Sequence, residues 1–157
     1  MRKLTIAAIG SLAVGFAGPA MAQSFTYDVT WEPVESVGGM TGTEGTQYGG
    51  GVVNGTYVTK VSDGTTVNGK VRCVGMGQPD GGIFAIHLAC TTKEEGGTGS
   101  LVYGCNFLGK PGPDTALGCI GSVEGKEGAF KGQRGGLTMH WYSDKKSAGT
   151  GQWYTTK

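Results

Sequence analysis

The stretch Gly69-Lys-Val-Arg-Cys73-Val-Gly-Met76-Gly-Gln-Pro-Asp-Gly81-Gly82-Ile-Phe-Ala-Ile-His87-Leu-Ala-Cys90-Thr-Thr92 decides the fold. Two apolar runs flank Pro79-Asp80-Gly81-Gly82, and a Gly-Gly pair suits a two-residue hairpin loop, whose central residues need positive φ. Folding the chain there makes residues whose numbers sum to 163 face each other. Cys73 then lies opposite Cys90, and His87 opposite Met76. On the second arm Phe84, Ile86, Leu88 and Cys90 share one face, so the cysteines belong to the more apolar side.

Working outward, the same alternation recurs. Phe25, Tyr27, Val29 and Trp31 alternate with Thr26, Asp28, Thr30 and Glu32, a half-buried strand that Pro33 should end. Val34 to Gly51 reads as loop or weak edge strand. Val52–Val61, an Asp63-Gly64 turn, Thr66–Met76, a face of Leu101, Tyr103, Cys105 and Phe107, and a face of Leu117, Cys119, Gly121 and Val123 follow. Leu137, Met139 and Trp141 alternate with Thr138, His140 and Tyr142, and Gly151–Thr156 closes the chain. Seven to nine strands with hairpin-length links predict an all-β protein, a small antiparallel barrel of about eight strands. A β-sandwich and an outer-membrane barrel are the alternatives. Closure favours the barrel because it removes exposed strand edges.

The first residues read as a secretory leader over 1–22: Arg2-Lys3, an apolar run from Leu4 to Phe16, and Ala20-Met21-Ala22 for cleavage. This predicts an exported chain, periplasmic or extracellular and bacterial in type, with one β domain over 23–157. No further apolar run is long enough to span a membrane as a helix. Without Arg2 and Lys3, 11 of the 13 basic residues remain against 12 acidic ones, which lacks the basic footprint of a nucleic-acid binder. Of 32 glycines, 29 lie beyond the leader, a density hostile to helix.

The four cysteines, Cys73, Cys90, Cys105 and Cys119, contain no C-x-x-C pair, so zinc and thioredoxin-type chemistry are disfavoured and two disulfides are expected. Four cysteines allow three pairings. The hairpin register favours 73–90 and, by exclusion, 105–119.

Gly125-Lys-Glu-Gly128-Ala-Phe130-Lys-Gly132-Gln-Arg-Gly135-Gly136, leading into Leu137–Tyr142, resembles a signature of the allene oxide cyclase and dirigent type of β-barrel. There a Gly-x-Gly-x-Phe-x-Gly-x-x-Gly stretch precedes a late strand; here the first spacing is Gly-x-x-Gly. The resemblance implies an eight-stranded barrel with a central cavity, often assembled into homo-oligomers, and carries over no catalytic residue. The residues themselves assign Phe130 a structural role, plugging a barrel end.

No catalytic residue, metal site or cofactor is assigned. Gly-x-Ser-x-Gly is absent, Glu94-Glu95 and Glu124/Glu127 fall in Gly-rich turns, and the glycine runs are not phosphate loops. His87 beside Met76 raises copper as a minority reading, since imidazole and thioether both suit that metal. Aromatic residues carry the most functional content. Tyr57, Tyr103, Phe107, Trp141 and Trp153 are the candidate ligand-binding residues, with Trp31 and Tyr154 as further interior aromatics; filling the core is the competing role. The expectation is a non-enzymatic exported barrel binding a small apolar ligand or an envelope partner. An isomerase or cyclase acting inside the barrel, using a buried group such as His87, Glu124 or Tyr103, and a structural envelope protein are the alternatives.

Overall fold

A computed structural model describes residues 22–42, 47–78, 82–112 and 114–154. The leader segment therefore falls almost wholly outside the described residues. Eight strands close into one antiparallel barrel in sequence order: β1 (Ser24–Thr41), β2 (Gln47–Val61), β3 (Thr66–Gly77), β4 (Ile86–Glu94), β5 (Gly97–Phe107), β6 (Leu117–Glu127), β7 (Arg134–Trp141) and β8 (Lys146–Trp153). A 3-10 turn, Gly128–Phe130, lies between β6 and β7. The barrel is the expected one; the sandwich is not formed.

The register of the opening stretch holds. Gly69 faces Glu94, Cys73 faces Cys90 and Met76 faces His87. The ladder ends at Gly77 opposite Ile86, with one further bond from Gln78 N–H to the Ala85 carbonyl. The strands thus part earlier than a two-residue loop requires, and Gly81 lies outside the described residues. Both expected disulfides are formed, Cys73–Cys90 and Cys105–Cys119. Each joins direct cross-strand partners. Such bridges form in an oxidising environment.

Pro33 does not end β1, which continues to Thr41 paired with β2. It ends a different ladder. Trp31 N–H donates to the Lys145 carbonyl of the β8 side at 2.8 Å, and the next position facing that side is Pro33, which has no N–H. Beyond it, β1 and β2 run on as a two-stranded arm with register shifts at Pro33/Glu35 and Gly38/Met40. Of the loop or weak edge strand expected over Val34–Gly51, the strand is what forms: its described residues are largely paired between β1 and β2.

The barrel has two unlike ends. The near end carries the short links at 62–65, 95–96 and 128–133, together with Ser24 and Trp153. The far end carries the arm and the longer links 78–85 and 108–116. Glu95-Gly96 is a tight turn with Gly96 at φ 77°, so the polar turn expected over Lys93–Gly99 shrinks to its centre. Gly125 bonds to this end's last connector twice, through Gln133 and Gly132, and the connector delivers Phe130 against the core. There its ring stacks on Trp153 at 5.3 Å.

Glycine density finds its explanation inside. Phe25 faces Gly151, Tyr27 faces Gly149, Trp31 faces Gly55, Tyr57 faces Gly69 and Tyr103 faces Gly121 across adjacent strands. In all five pairs a Cβ on the glycine would collide with the facing ring. An eight-stranded barrel has room for its inward side chains only if large and small alternate. Each of these five glycines is the floor on which a neighbour's ring lies. Outward, exposed Asp28, Lys60, Lys70 and Arg72 stand on the wall where a membrane barrel would carry its lipid-facing band. Among the described residues no helix is long and apolar enough to cross a membrane.

Candidate ligand cavity

The far half of the barrel holds the disulfides and a tryptophan stack. The four half-cystines point inward and are buried, Cys73 and Cys105 completely. Trp31 and Trp141 stack face to face at 4.5 Å with planes 4° apart. Trp31 Nε1–H donates to the buried Ser147 hydroxyl at 2.8 Å.

Toward the near end the packing opens into a cavity of about 100 Å³. Its wall is mostly carbon, from Phe25, Val61, Leu101, Leu137, Phe130 and Trp153, and none of the four cysteines lines it. Two hydroxyl systems face it. Deeper, the Tyr27 hydroxyl donates to the Thr138 carbonyl at 2.6 Å, and the Tyr103 hydroxyl lies 3.0 Å from it. A carbonyl only accepts and a phenol has one proton, so Tyr103 is the donor to Tyr27. Nearer the mouth, the Tyr57 hydroxyl donates to Glu94 Oε2 at 2.8 Å. That bond depends on Gly69, which lies between Tyr57 and Glu94 in one row across β2, β3 and β4. A side chain at 69 would occupy the space the Tyr57 ring crosses.

All three phenols are held protonated above the ordinary tyrosine range. Burial pushes Tyr103 up to about 12. Burial raises Tyr27, and Tyr103 beside it adds to the effect; burial raises Tyr57, with the hydrogen bond to Glu94 contributing. A raised folded-state value means the native chain holds these protons longer than the unfolded chain does. Their contribution to stability is therefore complete below the ordinary tyrosine value of 10.0 and is lost as pH rises through the folded values. Urea midpoints measured against pH should fall from about pH 10 upward. A Tyr27→Phe/Tyr103→Phe variant should lose part of that slope, and an unchanged slope would contradict the assignment.

Of the five candidate aromatics, Tyr57, Tyr103 and Trp153 line the cavity. Trp141 is inward but belongs to the far-end stack on Trp31. Phe107, at the far end of β5, is half-buried and stands apart from the cavity wall. Tyr154 follows the inward Trp153, so alternation turns it to the outer face, where it is exposed and sits over Gly136. The polar groups named for catalysis divide similarly. Only Tyr103 presents its side chain to the interior core. His87 is exposed on the outer wall with its ring edge-on to Phe84, and the Glu124 carboxylate is engaged by Lys126 at 2.9 Å and Arg134 at 3.9 Å. His140 is also outward, against Tyr142. Among the described residues no three His, Cys, Asp or Glu side chains group as metal ligands.

Glu94 was placed by sequence in an exposed turn. Its partner Tyr57 is 37 residues away, and strand closure alone brings them together. The period-2 reading already contained a signal, because Glu94 has the parity of the inward residues Leu88 and Cys90. A second surface is notable: Val74, Met76, Val102 and Ile120 are outward and more than half exposed on β3, β5 and β6. Compared with known proteins, the chain matches no family model, and no curated protein or solved structure shows significant similarity to it.

Proposed function

We propose that this chain is an exported, non-enzymatic β-barrel that binds one small ligand with an apolar body in its near-end cavity. The observation that carries the reading is the cavity of about 100 Å³ under an aromatic and aliphatic wall. A dry cavity of about 150 Å³ takes benzene, so the ligand here is no larger than a small ring or a branched group of a few atoms. Export is supported by the leader-like first 22 residues and by the two buried disulfides. A binding role is supported over an isomerase by the hydroxyls' occupation. Tyr57 is tied to Glu94, and Tyr27 and Tyr103 are tied to each other and to the backbone, so all act as wall groups. A second reading, docking of an envelope partner on the outer wall, is favoured by the exposed Val74, Met76, Val102 and Ile120.

Ligand-observed NMR with phenol, cyclohexanol and tert-butanol tests the cavity. At least one of them should bind saturably and perturb the fluorescence of Trp153, and Thr59→Phe, which fills the cavity from β2, should abolish binding while circular dichroism stays native. Binding that survives Thr59→Phe, or no binding by any of the three, would overturn the cavity reading and leave the outer wall as the functional surface.

A further inference from the structure

We infer that the ligand of this cavity is a small organic cation, an ammonium group carrying methyl or short alkyl substituents. The inference rests on the cavity-binding reading above and adds the charge of the ligand to it. Its basis is which charges face the cavity and what surrounds them. No lysine, arginine or histidine lines the cavity; its charged lining residues are Glu94 and Glu124. Glu124 is already neutralised by Lys126 and Arg134. Glu94 is not: among the described residues it has no cationic partner, and its carboxylate accepts a hydrogen bond from Tyr57. A carboxylate half-buried in a carbon-lined space, without a counter-charge among the described residues, favours a cation as occupant.

The rest of the wall suits the same class. Tyr57, Phe130 and Trp153 present rings around the near end, with Phe25 packed 5.6 Å from Trp153. Aromatic faces attract ammonium groups through the ring quadrupole, and substituted ammonium ions shed their water more easily than bare metal ions do. The volume fits a group of tetramethylammonium size better than a long chain or a fused ring. Gly69 maintains the arrangement, since it lets Tyr57 reach across β3 and hold one carboxylate oxygen, Oε2, in place.

The test compares tetramethylammonium with tert-butanol, a neutral molecule of similar shape, by calorimetric titration of the whole mature chain at constant ionic strength, with potassium chloride as the inorganic control. Tetramethylammonium should bind at least about tenfold more tightly than tert-butanol. Glu94→Gln keeps the size of the side chain and an acceptor for Tyr57, so the fold should persist, and it should reduce the cation to about the affinity of the alcohol. Glu124→Gln should leave the preference unchanged. Equal binding of cation and alcohol, potassium binding as tightly as tetramethylammonium, or a preference that survives Glu94→Gln would each overturn the charge assignment while leaving the cavity reading intact. Binding of none of the probes would overturn both.

Discussion

Trp31→Ala should lower the stability of the barrel by about 3–5 kcal/mol, the usual range for removing a buried tryptophan. Trp31 is 3% exposed, lies across Gly55 and stacks on Trp141, so neither neighbour can follow the side chain into the hole. The backbone on both sides is fixed by ladders to β2 and β8. The substitution also strips the buried Ser147 hydroxyl of its donor. A domain of this size is stable by about 5–15 kcal/mol in all, so the variant should sit near the edge of folding. Urea denaturation followed by circular dichroism measures the loss. A loss under about 1 kcal/mol would mean that the far-end stack is not part of the core.

Loss of the disulfides should be of comparable size. Replacing Cys73 and Cys90, or Cys105 and Cys119, by alanine should each cost about 3 kcal/mol, the chain-entropy expectation for loops of this length. The sequence separations are 17 and 14, so the two pairs should differ little. Removing both pairs should leave a chain that does not fold stably. Burial adds a kinetic consequence. All four half-cystines are 6% exposed or less, inside a closed wall, so a thiol reductant reaches them only when the barrel opens. Reduction under native conditions should therefore proceed at the unfolding rate, independent of reductant at high concentration. Rapid reduction of either bridge with the circular dichroism unchanged would show a local opening that the closed wall excludes.

Much of the fold was legible because strand pairing leaves period-2 marks. Phe25 to Trp31 and Leu137 to Trp141 announced their inward faces, and the opening stretch gave a register in which Cys73 meets Cys90. Strand ends were less visible. Pro33 reads as a terminator, yet what it terminates depends on which neighbour its missing N–H faces, and that neighbour, β8, lies more than a hundred residues away. Phe130 as an end plug followed from its glycine setting. Eight-stranded closure carries no activity by itself.

The candidate site was less legible. Aromatic residues were the right class to consider, but sequence could not divide Tyr57, Tyr103 and Trp153, at the cavity, from Trp141 and Phe107, away from it. That division depends on height along the barrel axis, which closure sets and local pattern does not. Glu94 shows the same limit, since its partner comes from β2 across a glycine of β3.

By itself the sequence determined that the chain is all-β and which faces turn inward, and its hairpin register favoured the cysteine pairing that forms without excluding the other two, because alternation and hairpin register are local properties of adjacent strands. Only the tertiary structure decided which rings fall opposite which glycines, where the interior stays empty, and that one carboxylate faces the empty space without a counter-charge. Those are properties of the closed barrel, where residues from β1 and β8 or from β2 and β4 become neighbours only once all eight strands have met.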